Sequence, residues 1–251
     1  MAETFLYILS IILKVAVVPI AVLIYKKKLT FLQGLFTATL LFTASFACEI
    51  FYLNIVGNYS YIDSVINTSF DNIKNTYSVE NGLTAQQAAG ISEMVEYVRN
   101  LYFTLLPSVV LIIQLIGAYF WLMVSKGILA LCKKDVSGFW RFCDFKMPKG
   151  SIWMGILCLC AYVVMADSRV SFAFLNITVI LAFATFVCGV SILDFKLRNK
   201  IHNSFLRFLL YIAVSGFVLG LGMWAVLIAG MIDAFFNLRV PRKKPDDFDE
   251  E

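Results

Sequence analysis

An all-α, polytopic transmembrane helix bundle of six to seven membrane segments, with an amphipathic helical hairpin outside the membrane, is the fold class this sequence predicts. Three observations predict it. Apolar residues make up 60% of the 251 and charged residues only 15%. The apolar residues gather into runs of 18 or more, long enough to cross a hydrocarbon layer of roughly 30 Å. Finally, 17 of the 21 Lys and Arg fall in segments that can all lie on one side of that layer, as the positive-inside rule demands.

The first two spans are residues 4–25 and 29–56, joined by the basic turn Lys26, Lys27 and Lys28. Lys14 lies within the first span, five residues before Pro19, and Glu49 lies deep in the second. Ionisable groups at such depth are costly and are read first as functional candidates. The two helices are antiparallel neighbours, but the axial offset between these residues is on the order of 10 Å at about 1.5 Å per residue. Either the two side chains meet, or Lys14 snorkels and Glu49 reaches the interface on its own. Gly34 and Ala38 have the spacing that admits a closely approaching helix.

Residues 57–100 form a polar outer loop with five acidic and two basic side chains. Within it Ile62, Ile66, Phe70, Ile73 and Tyr77 recur at helical spacing, opposite Asp63, Asn67, Asp71 and Lys74. Asn81-Gly82 reads as a turn, and Thr84 with Gln87 has the spacing of a capping box that opens a second helix. The pair of helices either lies on the membrane interface or forms a lid or docking site.

A third span, residues 101–131, carries Gln114. A basic loop follows at 133–149, then a short fourth span at 151–165 and a fifth at 170–195 with Asn176. Gln114 and Asn176 are neutral polar residues of the kind that hydrogen-bond between helices. Residues 204–236 are too long for one crossing. A helical hairpin turning near 219–222 puts the basic chain end inside with the other basic loops, whereas one tilted helix leaves it outside. The hairpin is the favoured reading. Asp233 near the end of this region either pairs with Arg239 to hold the helix end or serves a ligand. The single membrane domain therefore runs over 1–239. The tail, 240–251, is basic then acidic with almost nothing apolar, which predicts disorder in the cytoplasm.

Catalytic and metal chemistry are hard to find. Cys48, Cys158, Cys160 and Cys188 lie in spans, where Cys behaves as a small hydrophobe, and Cys132 and Cys143 belong to the basic loop. Cys158 and Cys160 point to opposite sides of a helix and cannot readily chelate one ion. The one His, His202, has no second His or paired thiols near it. No base–nucleophile set and no glycine-rich phosphate loop is present. The expectation is a protein that is not an enzyme, has no cofactor and does not bind nucleic acid, its basic runs being topology signals.

The ending Gly230-Met-Ile-Asp233-Ala-Phe-Phe-Asn-Leu-Arg239 resembles that of the YybS-like family of bacterial membrane proteins, a domain of unknown function. Further pieces match in order. They are Pro19 with its basic turn and Gly34, Leu106-Pro107-Ser108 at a span opening, the aromatic–basic stretch through Pro148 to Trp153, Leu175-Asn176, and Gly189-Val-Ser191. Family members are usually longer before the polar loop. That family is similar to the S components of energy-coupling-factor transporters, which capture small molecules and dock on an energising module. The resemblance implies a multi-pass protein of the bacterial cytoplasmic membrane with three kinds of partner: the lipid bilayer, an energising transporter module or another membrane protein, and an unknown small molecule. It supplies no ligand residues. On the residues themselves, Lys14, Glu49 and Gln114 are the candidates for lining a binding site, entered from the outside, where the N-terminus is placed. A membrane scaffold or regulatory protein of the envelope is the alternative, and a lipid-handling protein with a groove open sideways to the bilayer is a third.

Overall fold

In a computed structural model the described residues are 2–57, 60–77, 84–165, 170–198, 201, 206, 209 and 221–239. The turn at Asn81-Gly82, the corner at 166–169, His202, the proposed turn at 219–222 in its first half and the tail 240–251 lie outside them. The described residues form an all-α membrane bundle. Four stretches are long and apolar enough to span: Thr4–Tyr25, Phe31–Gly57, Ala85–Leu131 and Ser171–Arg198. Shorter apolar helices cover Lys149–Val164 and Gly222–Phe236. The chain divides into two compact units, Met1–Phe139 and Trp140–Glu251.

In the first unit, the first span is two helices, α1 (Ala2–Val15) and α2 (Val17–Tyr25). Pro19 explains the break. It has no N–H for the Val15 carbonyl, and its ring crowds that carbonyl, so α1 ends there and the chain restarts one residue later. The helix α2 closes with a Schellman turn. Lys27 takes a left-handed φ of 56°, its N–H bonds the Ile24 carbonyl at 2.9 Å, and that of Lys28 bonds Leu23 at 3.0 Å. Lysines here also suit the negative end of the helix dipole. Helix α3 (Phe31–Gly57) opens on a reciprocal cap. The Gln33 N–H donates to the Thr30 hydroxyl at 3.3 Å and the Thr30 N–H to the Gln33 side-chain oxygen at 3.0 Å.

Helix α4 (Tyr61–Thr76) is the first helix of the polar loop, with Asp63 in its first turn and Lys74 in its last. The capping box at Thr84 and Gln87 forms with both arms, and it opens α5 (Ala85–Leu131). Here the sequence reading needs correction. The second outer helix and the third span are one continuous helix of 47 residues, and Pro107 lies inside it rather than at its opening. The polar stretch before Leu101 lowers hydropathy without breaking helical hydrogen bonding, so composition marks a membrane boundary where the backbone has none. At about 1.5 Å per residue α5 is roughly 70 Å long, more than twice the hydrocarbon thickness. Its end repeats the Schellman turn at Lys133 (φ 56°) and Lys134. The core of the unit comprises Val17, Ile20, Ala21 and Ile24 of α2, Phe31, Ala38 and Phe42 of α3, Ala118 and Leu122 of α5, and Phe139.

The second unit starts with a loop that includes a short 3-10 turn, Phe142–Asp144, and leads through Pro148 into α6 (Lys149–Val164). At 16 residues α6 is about 24 Å long, short for a span as the sequence indicates. Helix α7 (Ser171–Arg198) is the central element, packed against α6, the 3-10 turn and α8 (Leu221–Phe236). Gly189 and Gly230 make the α7–α8 crossing possible. A Cβ on Gly189 would collide with the Val226 carbonyl oxygen, and one on Gly230 with that of Thr185. Each helix thus offers a glycine four residues from the carbonyl its partner's glycine must clear, a close backbone crossing built from small residues.

Candidate functional site

Two polar constellations stand out, one in each unit. In the first unit, Ser10 and Lys14 are four residues apart on α1, and Ser45 and Glu49 four apart on α3, so each pair shares a helix face. The Lys14 ammonium and the Glu49 carboxylate form an ion pair. Below it, the Ser10 hydroxyl donates to the Tyr7 carbonyl at 2.9 Å and lies 3.4 Å from the same Glu49 oxygen. The Ser45 hydroxyl donates to the Ser10 carbonyl at 2.9 Å. The serines are fully buried, whereas the Lys14 side chain is 51% exposed and that of Glu49 30%. The Tyr7 and Tyr52 rings, 5.6 Å apart, lie on the same pair of helices.

The two side chains meet despite their axial offset because helical side chains lean toward the N-terminus of their own helix. On antiparallel helices the leans of Lys14 and Glu49 converge. The long methylene stem of Lys14 covers the rest. Gln114 is half-buried on α5 and, among the described residues, joins neither partner of this pair. The serines are the part that sequence reasoning missed. A signal existed, since each hydroxyl sits one helical turn before an ion.

In the second unit, Asp233 and Arg239 form a buried ion pair, with side chains 0% and 7% exposed and the Arg239 Nε 3.0 Å from the Asp233 carboxylate. The backbone supports this. Asn237 adopts a left-handed φ of 48°, turning the chain after α8 so that the Leu238 N–H donates to the other Asp233 oxygen at 2.9 Å. The rest of the guanidinium reaches the Cys143 carbonyl, the Ser191 hydroxyl at 3.1 Å and the Cys188 carbonyl at 3.4 Å. Ser191 in turn donates to the Phe142 carbonyl at 2.6 Å. Arg239 therefore ties α8, α7 and the loop before α6 together, its donors satisfied as a buried cation requires. Of the two readings of Asp233, the pair with Arg239 is the one that forms, although both groups are buried rather than interfacial. The loop carbonyls that complete the set carry no side-chain signature, so spacing could not reveal them.

Other residues singled out in the sequence fall in structural places. The Asn176 amide donates to the Phe172 carbonyl of its own helix at 2.8 Å. Pro148 caps α6, and the exposed Trp153 sets its ring edge-on to Phe235 at 6.1 Å. Gly34 faces Ile24 and Ile20 of α2, and Ala38 is fully buried, as a close-approach pair should be.

Before the apolar run of α5 that begins at Leu101, Glu96 bonds Lys74 of α4 at 2.7 Å and pairs with Arg99 at 2.6 Å. The Lys74 hydrogen bond, aided by the Arg99 charge, holds the Glu96 carboxyl below its ordinary range. Asp135, in the turn after α5, is likewise lowered, first by the backbone N–H and hydroxyl of Ser137 and then by Lys27. Among the described residues, no cluster of three or more His, Cys, Asp or Glu side chains is placed to hold a metal. Among the described residues, the two ion pairs are the most developed polar arrangements.

Residues 1–234 match the family described as "Predicted membrane protein (DUF2232)", and the chain belongs to that family. No curated protein matches the chain, and no solved structure does.

Proposed function

We propose that this family member works by binding rather than by catalysis, as a solute-capturing subunit of the bacterial cytoplasmic membrane. In this reading it is similar to the transporter S components that its YybS-like sequence features imply. The observation that supports this most is the half-open Lys14–Glu49 pair over buried Ser10 and Ser45. An ion pair serving only to join two helices gains most when it is sealed between them. This one leaves half of a lysine side chain accessible within a span, where an uncovered charge is expensive. A small zwitterionic or strongly dipolar solute can exchange contacts with such a pair without a net change in charge. The N-terminus would lie outside and the basic loops inside, so that capture is from the exterior and release inward through an energising partner. No cofactor and no nucleic acid enters this scheme.

A second reading, a membrane scaffold or regulatory protein of the envelope, is favoured by the first unit's interior, which Phe31, Phe42, Leu122 and Phe139 fill. Affinity purification from native membranes, with mass spectrometry of bound proteins and metabolites, separates the two. Recovery of an ATP-driven module or a stoichiometric metabolite, lost in Lys14→Ala and Glu49→Ala, is the result expected for capture. Envelope proteins recovered with no metabolite would leave the scaffold.

A further inference from the structure

The second unit contains a groove that neither polar constellation uses. It encloses about 150 Å³ between α6, α7 and α8, and its walls include Ile152, Gly155, Ile156 and Leu159 of α6, Leu181 of α7 and Leu227 of α8. The two threonine hydroxyls along it are already engaged, Thr178 with the Phe174 carbonyl at 2.9 Å and Thr185 with the Leu181 carbonyl at 2.8 Å. Ser151 adds one hydroxyl at the Lys149 end, and the rest of the lining is apolar. Gly155 provides much of the width, since even a Cβ there would come no closer than 3.6 Å to Leu181. The groove is open where Ile156 and Leu159 remain exposed.

One end is marked by charge. Lys149, Ile152, Ile156 and Leu159 follow each other at three- and four-residue steps, so Lys149 shares the helical face that lines the groove, one turn before Ile152. Lys149 and Lys146 are both exposed. The loop that carries Lys146 is anchored at the same end, where the Thr185 hydroxyl lies 3.2 Å from the buried Met147 sulfur. An apolar groove along apolar helices, with Lys149 on the helical face that lines it and exposed Lys146 three residues earlier in the chain, has the chemistry of a phospholipid turned on its side.

From this complementarity we infer that the groove between α6, α7 and α8 holds an acyl chain of an anionic phospholipid whose phosphate is paired by Lys146 and Lys149. The inference does not rest on the solute-capture reading. It is a site on another unit of the chain, for a ligand that is part of the membrane. The test is photocrosslinking of the intact protein in nanodiscs that mix phosphatidylglycerol and phosphatidylcholine, each in turn with a photoactivatable acyl chain. Crosslinks concentrated on residues 151–159 and 178–185, with phosphatidylglycerol preferred on the order of tenfold, are expected from two lysines near a headgroup. The K146Q/K149Q variant should lose the preference and keep the crosslinked peptides. G155L/A182L, which fills the groove, should lose those peptides. Equal labelling of wild type by the two lipids, or labelling spread evenly over all lipid-facing helices, overturns the inference. If the filled variant fails to fold, the wild-type map and the lysine variant still decide.

Discussion

A buried arginine with all its donors engaged is demanding toward its neighbours. Removing Asp233 leaves Arg239 charged and sealed among carbonyls, and breaking a buried pair from one side costs about 3–5 kcal/mol. Asp233→Asn and Arg239→Met should each lower the thermal midpoint of the purified protein strongly. Arg239→Lys should rescue little, because a single ammonium cannot reach the carboxylate, the loop carbonyl and the Ser191 hydroxyl as the planar fork does. The half-exposed Lys14–Glu49 pair should behave differently. Single alanine substitutions there should cost less than those at Asp233 or Arg239, since the pair is half-exposed and the Lys14 stem can extend toward the interface. A double-mutant cycle on thermal stability should show coupling, with the double variant less destabilised than the sum of the singles. What the sequence disclosed at this scale was the identity of the ions. The ions could be singled out from their places in the apolar segments, but whether Lys14 meets Glu49 was left open, and the serines and backbone carbonyls that finish each site depend on which helices meet.

Among the elements, the glycines divide into two kinds that a substitution series would separate. At Gly230 and Gly189 the obstacle to a side chain is a backbone carbonyl, which cannot swing away. Gly230→Ala should therefore push α8 from α7 and cost at least the 1–3 kcal/mol typical of overpacking. At Gly34 the obstacle is the far end of Ile24, 2.5 Å from the added carbon, and a rotamer change relieves it. Gly34→Ala should be clearly milder in the same thermal assay. Helix α4 and the start of α5 carry a pH prediction. Because Glu96 titrates below its ordinary value of 4.5 in the folded protein, its contribution to α4–α5 packing is fully present above that value. It is lost as pH falls through the depressed folded value. Protection factors for α4 amides should hold from pH 7 to about 5 and decline toward pH 3, and Lys74→Ala should flatten that decline. Helix existence was legible from apolar length and periodicity, and the start of α5 from its capping box. The continuity of α5 was not, because hydropathy reports the medium around a helix and not its hydrogen bonding.

For the molecule as a whole, orientation is the property that the distribution of charge predicts most directly. Cys132 is exposed at the basic end of α5, whereas Thr84 precedes the opposite end. In intact cells a membrane-impermeant maleimide should spare Cys132 until the membrane is permeabilised, with Cys132→Ala as the control. It should label Thr84→Cys from the outside at once. The reverse pattern would invert the capture scheme and place the α4–α5 pair within the cell. The whole-molecule fold class followed from composition and run length, which depend on sums over many residues. The polar sites did not follow so fully, because they depend on a few contacts between segments far apart in the chain.

Helix α5 has a mechanical consequence. With no loop between its first turns and its Schellman end, it is a continuous rod whose one internal proline, Pro107, leaves a backbone hydrogen bond unmade and so softens that point. A tilt of about 10° at that joint would carry Thr84 through roughly 6 Å, given some 33 Å of rigid rod above it. A contact made on the arm before Pro107 would therefore be felt along the same helix within its apolar stretch.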